Sequence, residues 1–100
     1  MAAHFVYILH STRLDRYYIG ETHDVALRLE KHNSGYYEDK WSEKGKPWEL
    51  FLSITCENKQ QALAIEKHIK SMKSRAFIEN LKKYPEIVAR LKSTLPPPDS

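Results

Sequence analysis

The sequence predicts a two-layer α/β fold of β-β-α-β-α order with helical additions towards its C-terminal end. Three observations carry this prediction. The run Phe5-Val6-Tyr7-Ile8-Leu9 is apolar on both alternating faces, as in a strand covered on both sides. Tyr17-Tyr18-Ile19-Gly20 resumes strand composition after the polar residues 11–16, as an antiparallel hairpin requires. Two helical stripes, Val25-Ala26-Leu29 and Ala62-Ile65-Ile69-Met72, lie on either side of a third apolar run over residues 48–55.

The first strand is aromatic and β-branched and belongs at the sheet centre. With a loop over residues 11–14, Tyr7 would pair opposite Tyr18, and directly opposed side chains share a face. Asp24 is an N-cap for a helix from Val25 to about His32, and Asn33-Ser34-Gly35 is its stop signal. Arg28 and His32 stand one turn apart on that helix, so their side chains can converge. Residues 36–46 are polar, charged and aromatic without a period and end in Lys44-Gly45-Lys46-Pro47, which predicts an exposed loop. The third strand, with Leu50-Phe51-Leu52 and Ile54, is expected to pair with the first. Asn58 caps the next helix with Gln61 as a variant capping box, and Glu66 sits at the edge of its apolar stripe. Ser74 opens a short helix carrying Phe77, Ile78 and Leu81. Pro85 starts a last one carrying Ile87, Val88 and Leu91, and Pro96-Pro97-Pro98 ends regular structure.

At 100 residues with 41% hydrophobic content the chain closes one modest core. The expected organisation is a domain over residues 1–84, a C-terminal helix over 85–95 packed on it, and a disordered tail over 96–100. A net charge of +3 and a pI near 9.0 suit a polyanionic partner. Cys56 is the only cysteine, so no internal disulfide forms, and a reduced cytoplasmic setting is expected. The start Met1-Ala2-Ala3-His4 lacks a signal-peptide n-region, and no apolar run approaches the roughly 20 residues of a membrane span. The five histidines and Cys56 show no zinc-type spacing.

Tyr7 ends Phe5-Val6-Tyr7, and Tyr18-Ile19-Gly20 follows at the separation of a paired signature. With Arg28 and His32 in Leu27-Arg28-Leu29-Glu30-Lys31-His32-Asn33, and Glu66 in Ala62-Leu63-Ala64-Ile65-Glu66-Lys67-His68, the chain resembles the GIY-YIG nuclease superfamily. It is most similar to small standalone bacterial members that resemble the incision domain of excision-repair nucleases. The resemblance runs from about Phe5 to about Leu81. Phe5 replaces the first signature glycine, and Asn80 is available where the family carries a late asparagine, but its spacing from Glu66 does not match and that role is left unassigned. The implied fold is a small three-stranded antiparallel sheet flanked by helices, in α/β (α+β) style. The implied activity is a metal-dependent DNA endonuclease acting in repair, recombination or processing of branched DNA.

Phosphodiester hydrolysis needs an activated water, neutralised phosphoryl oxygens and a stabilised leaving oxygen. The resemblance implies that Tyr7 takes the water's proton and that Glu66 binds Mg²⁺ or Mn²⁺, a cation content with one carboxylate and several waters. A free phenol has a pKa of about 10, so the metal, Arg28 or charged His32 would have to favour its phenolate, or the phenol would relay its proton. Arg28 offers a fixed fork of donors to the non-bridging oxygens. Tyr18 would position the phosphate, and His32 would orient Tyr7 or assist proton movement. Lys40, Lys44, Lys46, Lys70, Lys73 and Arg75 are candidate DNA-backbone contacts, with Tyr37 or Trp41 stacking on bases.

Each residue alone has a plainer reading. The tyrosines would be strand aromatics, Arg28 and His32 solvated helix residues, and Glu66 a partner of Lys70. Five residue types in one family's order outweigh these readings taken singly. Two alternatives follow: a catalytically inactive nucleic-acid-binding module of the same fold, and a protein-interaction subunit docking through Ile87, Val88 and Leu91. With little chain left for recognition, selectivity for DNA structure would come from the 36–46 loop, the C-terminal helices or a targeting partner protein.

Overall fold

A computed structural model describes residues 3–34 and 44–94. Strands β1 (His4–Ser11) and β2 (Arg16–Thr22) form the hairpin, and helix α1 (Val25–Ser34) follows. Strand β3 (Trp48–Cys56) then leads into helices α2 (Lys59–Met72), α3 (Arg75–Lys83) and α4 (Pro85–Thr94). The three-stranded sheet is antiparallel with order β2-β1-β3, so the strand that is apolar on both faces is the central one, and the α+β architecture is as expected. Most of the predicted loop, with Gly35, Tyr37, Lys40 and Trp41, and the predicted tail lie outside the described residues.

Alternation along β1 sends Val6 and Ile8 to one face and Tyr7 and Leu9 to the other, and all four are buried. Val6 and Ile8 join Ile54, Ala62, Ile65, Ile69, Ile78, Leu81 and Leu91 in the main core under α2, α3 and α4. Tyr7 and Leu9 pack with Trp48 in a second cluster against which Tyr18, Val25 and Leu29 lie, under α1. A bulge in β3 opposite Ile8 and Leu9 leaves Phe51 as the extra residue, and both Phe51 and Leu52 pack on the main core.

The strand register departs from expectation. Tyr7 pairs with Gly20, not Tyr18, and Tyr18 pairs with Leu9. The cause is the hairpin loop. Ser11 stays in the ladder opposite Arg16 while its Oγ accepts from the Leu14 N–H at 3.1 Å, and Asp15 adopts a left-handed conformation (φ 52°) that closes the turn over residues 12–15. The shift is two residues, and the side-chain period is two, so the tyrosines keep a common face.

Asp24 caps α1 through its carboxylate, which accepts from the Leu27 N–H at 3.0 Å. The predicted stop at Asn33 is inside the helix, which runs to Ser34. The Asn33 amide is instead held by Trp48: Oδ1 accepts from its backbone N–H at 2.6 Å, and Nδ2 donates to its carbonyl at 2.9 Å. This clamp ties the end of α1 to the start of β3. Asn33→Ala is expected to destabilise the protein by about 1–3 kcal/mol, read as a lower urea midpoint at unchanged slope.

Asn58 caps α2 through the Gln61 N–H at 2.8 Å, but the Gln61 side chain returns to the Glu57 N–H, one residue before the cap. Ala62, Ile65 and Ile69 are buried, whereas Met72, predicted to continue the stripe, is 44% exposed at the last turn, where Lys73 turns the chain with φ 47°. Ala26 is likewise exposed, at a recess between α1 and the sheet that Phe5, Leu50 and Ser53 also line. Ser74 caps α3 by accepting from the Phe77 N–H. Leu91 is buried in the main core and Ile87 and Val88 pack against it, so the face offered above for protein docking is occupied by the protein's own core.

Candidate active site

Four rings gather on the α1 side of the sheet. Tyr7 comes from the central strand, Tyr18 from β2 two residues from the position opposite it, His32 from the last turn of α1, and Trp48 from the start of β3. The Tyr7 and Tyr18 rings stack at 6.1 Å between centroids with planes 27° apart. Tyr18 meets His32 edge to face at 4.5 Å, and Trp48 lies 6.3 Å from both. Tyr7 is 1% and His32 3% exposed, while Tyr18 is partly exposed and forms the solvent side of the group.

The Tyr7 hydroxyl lies 3.3 Å from His32 Nε2. The phenol donates when that nitrogen is unprotonated and accepts when it carries the proton, so a proton can pass between a phenol and an imidazole shielded from bulk water. Gly20 makes room for this arrangement. A Cβ there would meet the Tyr7 hydroxyl oxygen at 2.6 Å and its ring carbon Cζ at 2.7 Å. Arg28 is partly buried one helical turn before His32 and shares its side of α1.

Glu66 comes from the helix layer on the other side of the sheet. It lies on α2, whose buried residues pack on the opposite sheet face, in a recess lined by Leu63, Lys67 and Lys70. Its Oε2 accepts from Lys70 Nζ at 2.7 Å, and its side chain is 16% exposed. Among the described residues Glu66 makes no hydrogen bond to the ring group. The structure therefore brings Tyr7, Tyr18 and His32 into one group beside Arg28, and shows the Glu66–Lys70 pair that the plainer reading foresaw.

The predicted backbone contacts also divide. Lys70, Lys73 and Arg75 line one recess where α2 turns into α3. Lys44 is exposed and Lys46 partly buried ahead of β3. Arg75 is already committed: Nη1 donates to the Asp15 carbonyl at 3.0 Å, Nη2 to the Asp15 carboxylate, and Nε to Glu79 at 3.2 Å. Tyr17 donates to the same Glu79 oxygen, and His10 lies 3.1 Å from the Asp15 carboxylate. Hydrogen bonds from Arg75, then from His10, hold the Asp15 carboxyl below the usual carboxylate range. A depressed folded-state value means that this clamp of hairpin on α3 is complete above the ordinary aspartate range and is lost as pH falls through the lowered one. A carboxyl-carbon NMR titration of Asp15 is expected to show a higher midpoint in Arg75→Gln than in the parent protein.

Three contributors went unread in the sequence. Gly20 was visible only as the end of a triplet, Asn33 as a helix stop, and Trp48 as the first residue of a strand. The residues that give them roles are distant along the chain: Tyr7 for Gly20, and the Asn33–Trp48 pair for each other.

Among the described residues no helix is long and apolar enough to cross a membrane. Comparison with protein-family models matches residues 3–82 to the GIY-YIG catalytic domain. Comparisons with curated proteins and with solved structures return no match.

Proposed function

Because this chain belongs to the GIY-YIG nuclease superfamily, we propose that it is a divalent-metal-dependent DNA endonuclease acting on branched or damaged DNA in repair or recombination. The observation that carries this reading is the Tyr7 hydroxyl 3.3 Å from His32 Nε2 inside the matched region, a buried proton-relay pair beside a partly exposed tyrosine. Nuclease activity follows from the family in general. DNA structure selectivity, metal dependence and delivery by a partner protein are the finer content of the proposal.

Water attacks phosphorus in line with the 3′-oxygen, and the phosphorus–oxygen bond to that leaving group breaks. Tyr7 accepts the attacking water's proton as its own hydroxyl proton passes to His32, so no full charge has to persist on the buried phenol. Arg28 donates its planar fork to the non-bridging oxygens, and Tyr18 positions the phosphate from the solvent side of the ring group.

The donors present suit a hard, water-rich cation. Glu66 Oε1 has no hydrogen-bond partner among the described residues, and no cluster of three or more His, Cys, Asp or Glu able to hold a metal occurs among them. Glu66 would be the protein ligand for Mg²⁺ or Mn²⁺, which when bound supplies Lewis-acid stabilisation of phosphoryl and leaving-group oxygens.

Supercoiled plasmid and branched oligonucleotides incubated with Mg²⁺, Mn²⁺ or chelator test the reading. Nicking is expected with metal only, and Glu66→Ala is expected to lower it by at least about 100-fold. Undiminished nicking by Glu66→Ala sinks the metal assignment. Salt-sensitive binding with no cleavage of any substrate would make the protein a binding module instead.

A further inference from the structure

Glu66 and Lys70 stand one turn apart on α2, a helix held to the sheet through Ala62, Ile65 and Ile69. Their contact is unequal. The Glu66 side chain is 16% exposed and that of Lys70 54%, so the ammonium reaches from solvent to a carboxylate already withdrawn from it. A shielded carboxylate is either paired or holds a metal. Here the pairing takes up one oxygen. Lys70 Nζ donates to Oε2 at 2.7 Å, while Oε1 has no partner among the described residues and is not sealed from water. The recess beside the pair, lined by Leu63, Lys67 and Lys70, has a volume of about 320 Å³, room for an ion and several waters.

An i,i+4 ion pair between two solvated side chains says nothing about function. This one differs because its acid is the shielded member and is divided, one oxygen capped and one open. Cations differ in what they ask of a carboxylate. Mg²⁺ binds at about 2.0–2.1 Å within a near-ideal octahedron and keeps several waters, so one carboxylate oxygen is enough for it. Ca²⁺ gathers roughly 6–8 oxygens at about 2.3–2.6 Å and accepts both oxygens of one carboxylate. With Oε2 capped, Glu66 offers Oε1 alone.

We propose that Lys70 is a positioning residue that sets the ion selectivity of the metal site: by capping Oε2 it limits Glu66 to a single-oxygen ligand, which suits Mg²⁺ and handicaps Ca²⁺. The inference rests on Glu66 as the metal ligand proposed above. Lys67 lines the same recess with the same charge but makes no ion pair among the described residues. It shares the field of Lys70 and not the contact.

The test is metal binding by the full chain without DNA. NMR titrations with Mg²⁺ and, separately, with Ca²⁺ follow the Glu66 side-chain carboxyl carbon and give a Kd for each ion. Lys70→Met is expected to lower the ratio of the Ca²⁺ Kd to the Mg²⁺ Kd by about 10-fold, the scale of a lost partner to a metal-binding group. Lys67→Met is expected to tighten both ions alike and to leave the ratio within about 2-fold, because a lost positive charge acts equally on two divalent cations. Ca²⁺ is also expected to inhibit Mg²⁺-supported nicking at lower concentration in Lys70→Met than in the parent. Circular dichroism melts verify that both variants fold. With Mg²⁺ still bound at Glu66, an unaltered ratio in Lys70→Met, or an equal change in Lys67→Met, overturns the proposal and leaves the metal assignment standing. If neither ion moves the Glu66 resonance in any of the three proteins, the metal assignment falls and the proposal falls with it.

Discussion

Tyr7→Phe is expected to lower the rate of DNA nicking by about 10²–10⁴-fold, the range of a lost general acid–base group. Folding and DNA affinity should remain close to those of the parent. The substitution removes one oxygen from a ring that is 1% exposed and stacked on Tyr18, so packing is almost unaltered. The bond lost, from the hydroxyl to His32 Nε2, has a net worth of about 1 kcal/mol, against roughly 5–15 kcal/mol for a domain. The catalytic loss therefore cannot be ascribed to unfolding. Because the hydroxyl acts on the attacking water, the deficit should fall on kcat with KM little altered. Single-turnover nicking and a urea unfolding curve on the same preparation separate the two effects. Nicking equal to that of the parent would return Tyr7 to the role of a core aromatic and require another group to take the proton.

The fold class was legible because its signals are local. A strand apolar on both faces must be covered twice, and β1 is the central strand with helices on each side. The caps Asp24, Asn58 and Ser74 were legible for the same reason, since each bond closes within three residues. The register was not, because it depends on where the hairpin loop ends. That was decided by Asp15 entering the left-handed region, which aspartate tolerates without announcing it. The slip by two left the shared face of Tyr7 and Tyr18 intact, so the ring pairing was readable even with the register wrong. Met72 fits the helical period of its stripe, but period says nothing about where a helix outruns its neighbours.

The candidate site was legible as an ordered set of residue types and not as an arrangement. Sequence order could not show that α2 packs on the opposite sheet face from α1, so that Glu66 and the rings are supplied by opposite helix layers. Nor could it show that Arg75 reaches back across most of the domain to bind the hairpin loop to α3 at Asp15. The same clamp explains why Arg75, readable as one more basic residue, is occupied within the protein.

Gly20→Ala is the second large effect expected, and it tests position where Tyr7→Phe tests chemistry. An added Cβ would stand 2.6–2.9 Å from three atoms of the Tyr7 side chain, closer than real Cβ contacts allow. Tyr7 is boxed in by Tyr18, His32 and the second core cluster, so its ring has little freedom to tilt away cheaply. Overpacking of this kind costs about 1–3 kcal/mol, and a misplacement near 1 Å at a reacting group costs about 100-fold in rate. Nicking is thus expected to fall about 100-fold in a protein that still folds. The Tyr7→Phe background supplies the decisive comparison, since it removes the oxygen that makes the closest contact. Gly20→Ala should destabilise that background less than it destabilises the parent, giving a measurable coupling energy between positions 7 and 20. Equal destabilisation in both backgrounds, or full nicking activity in Gly20→Ala, would mean that the hydroxyl is not held over Gly20 when the enzyme works.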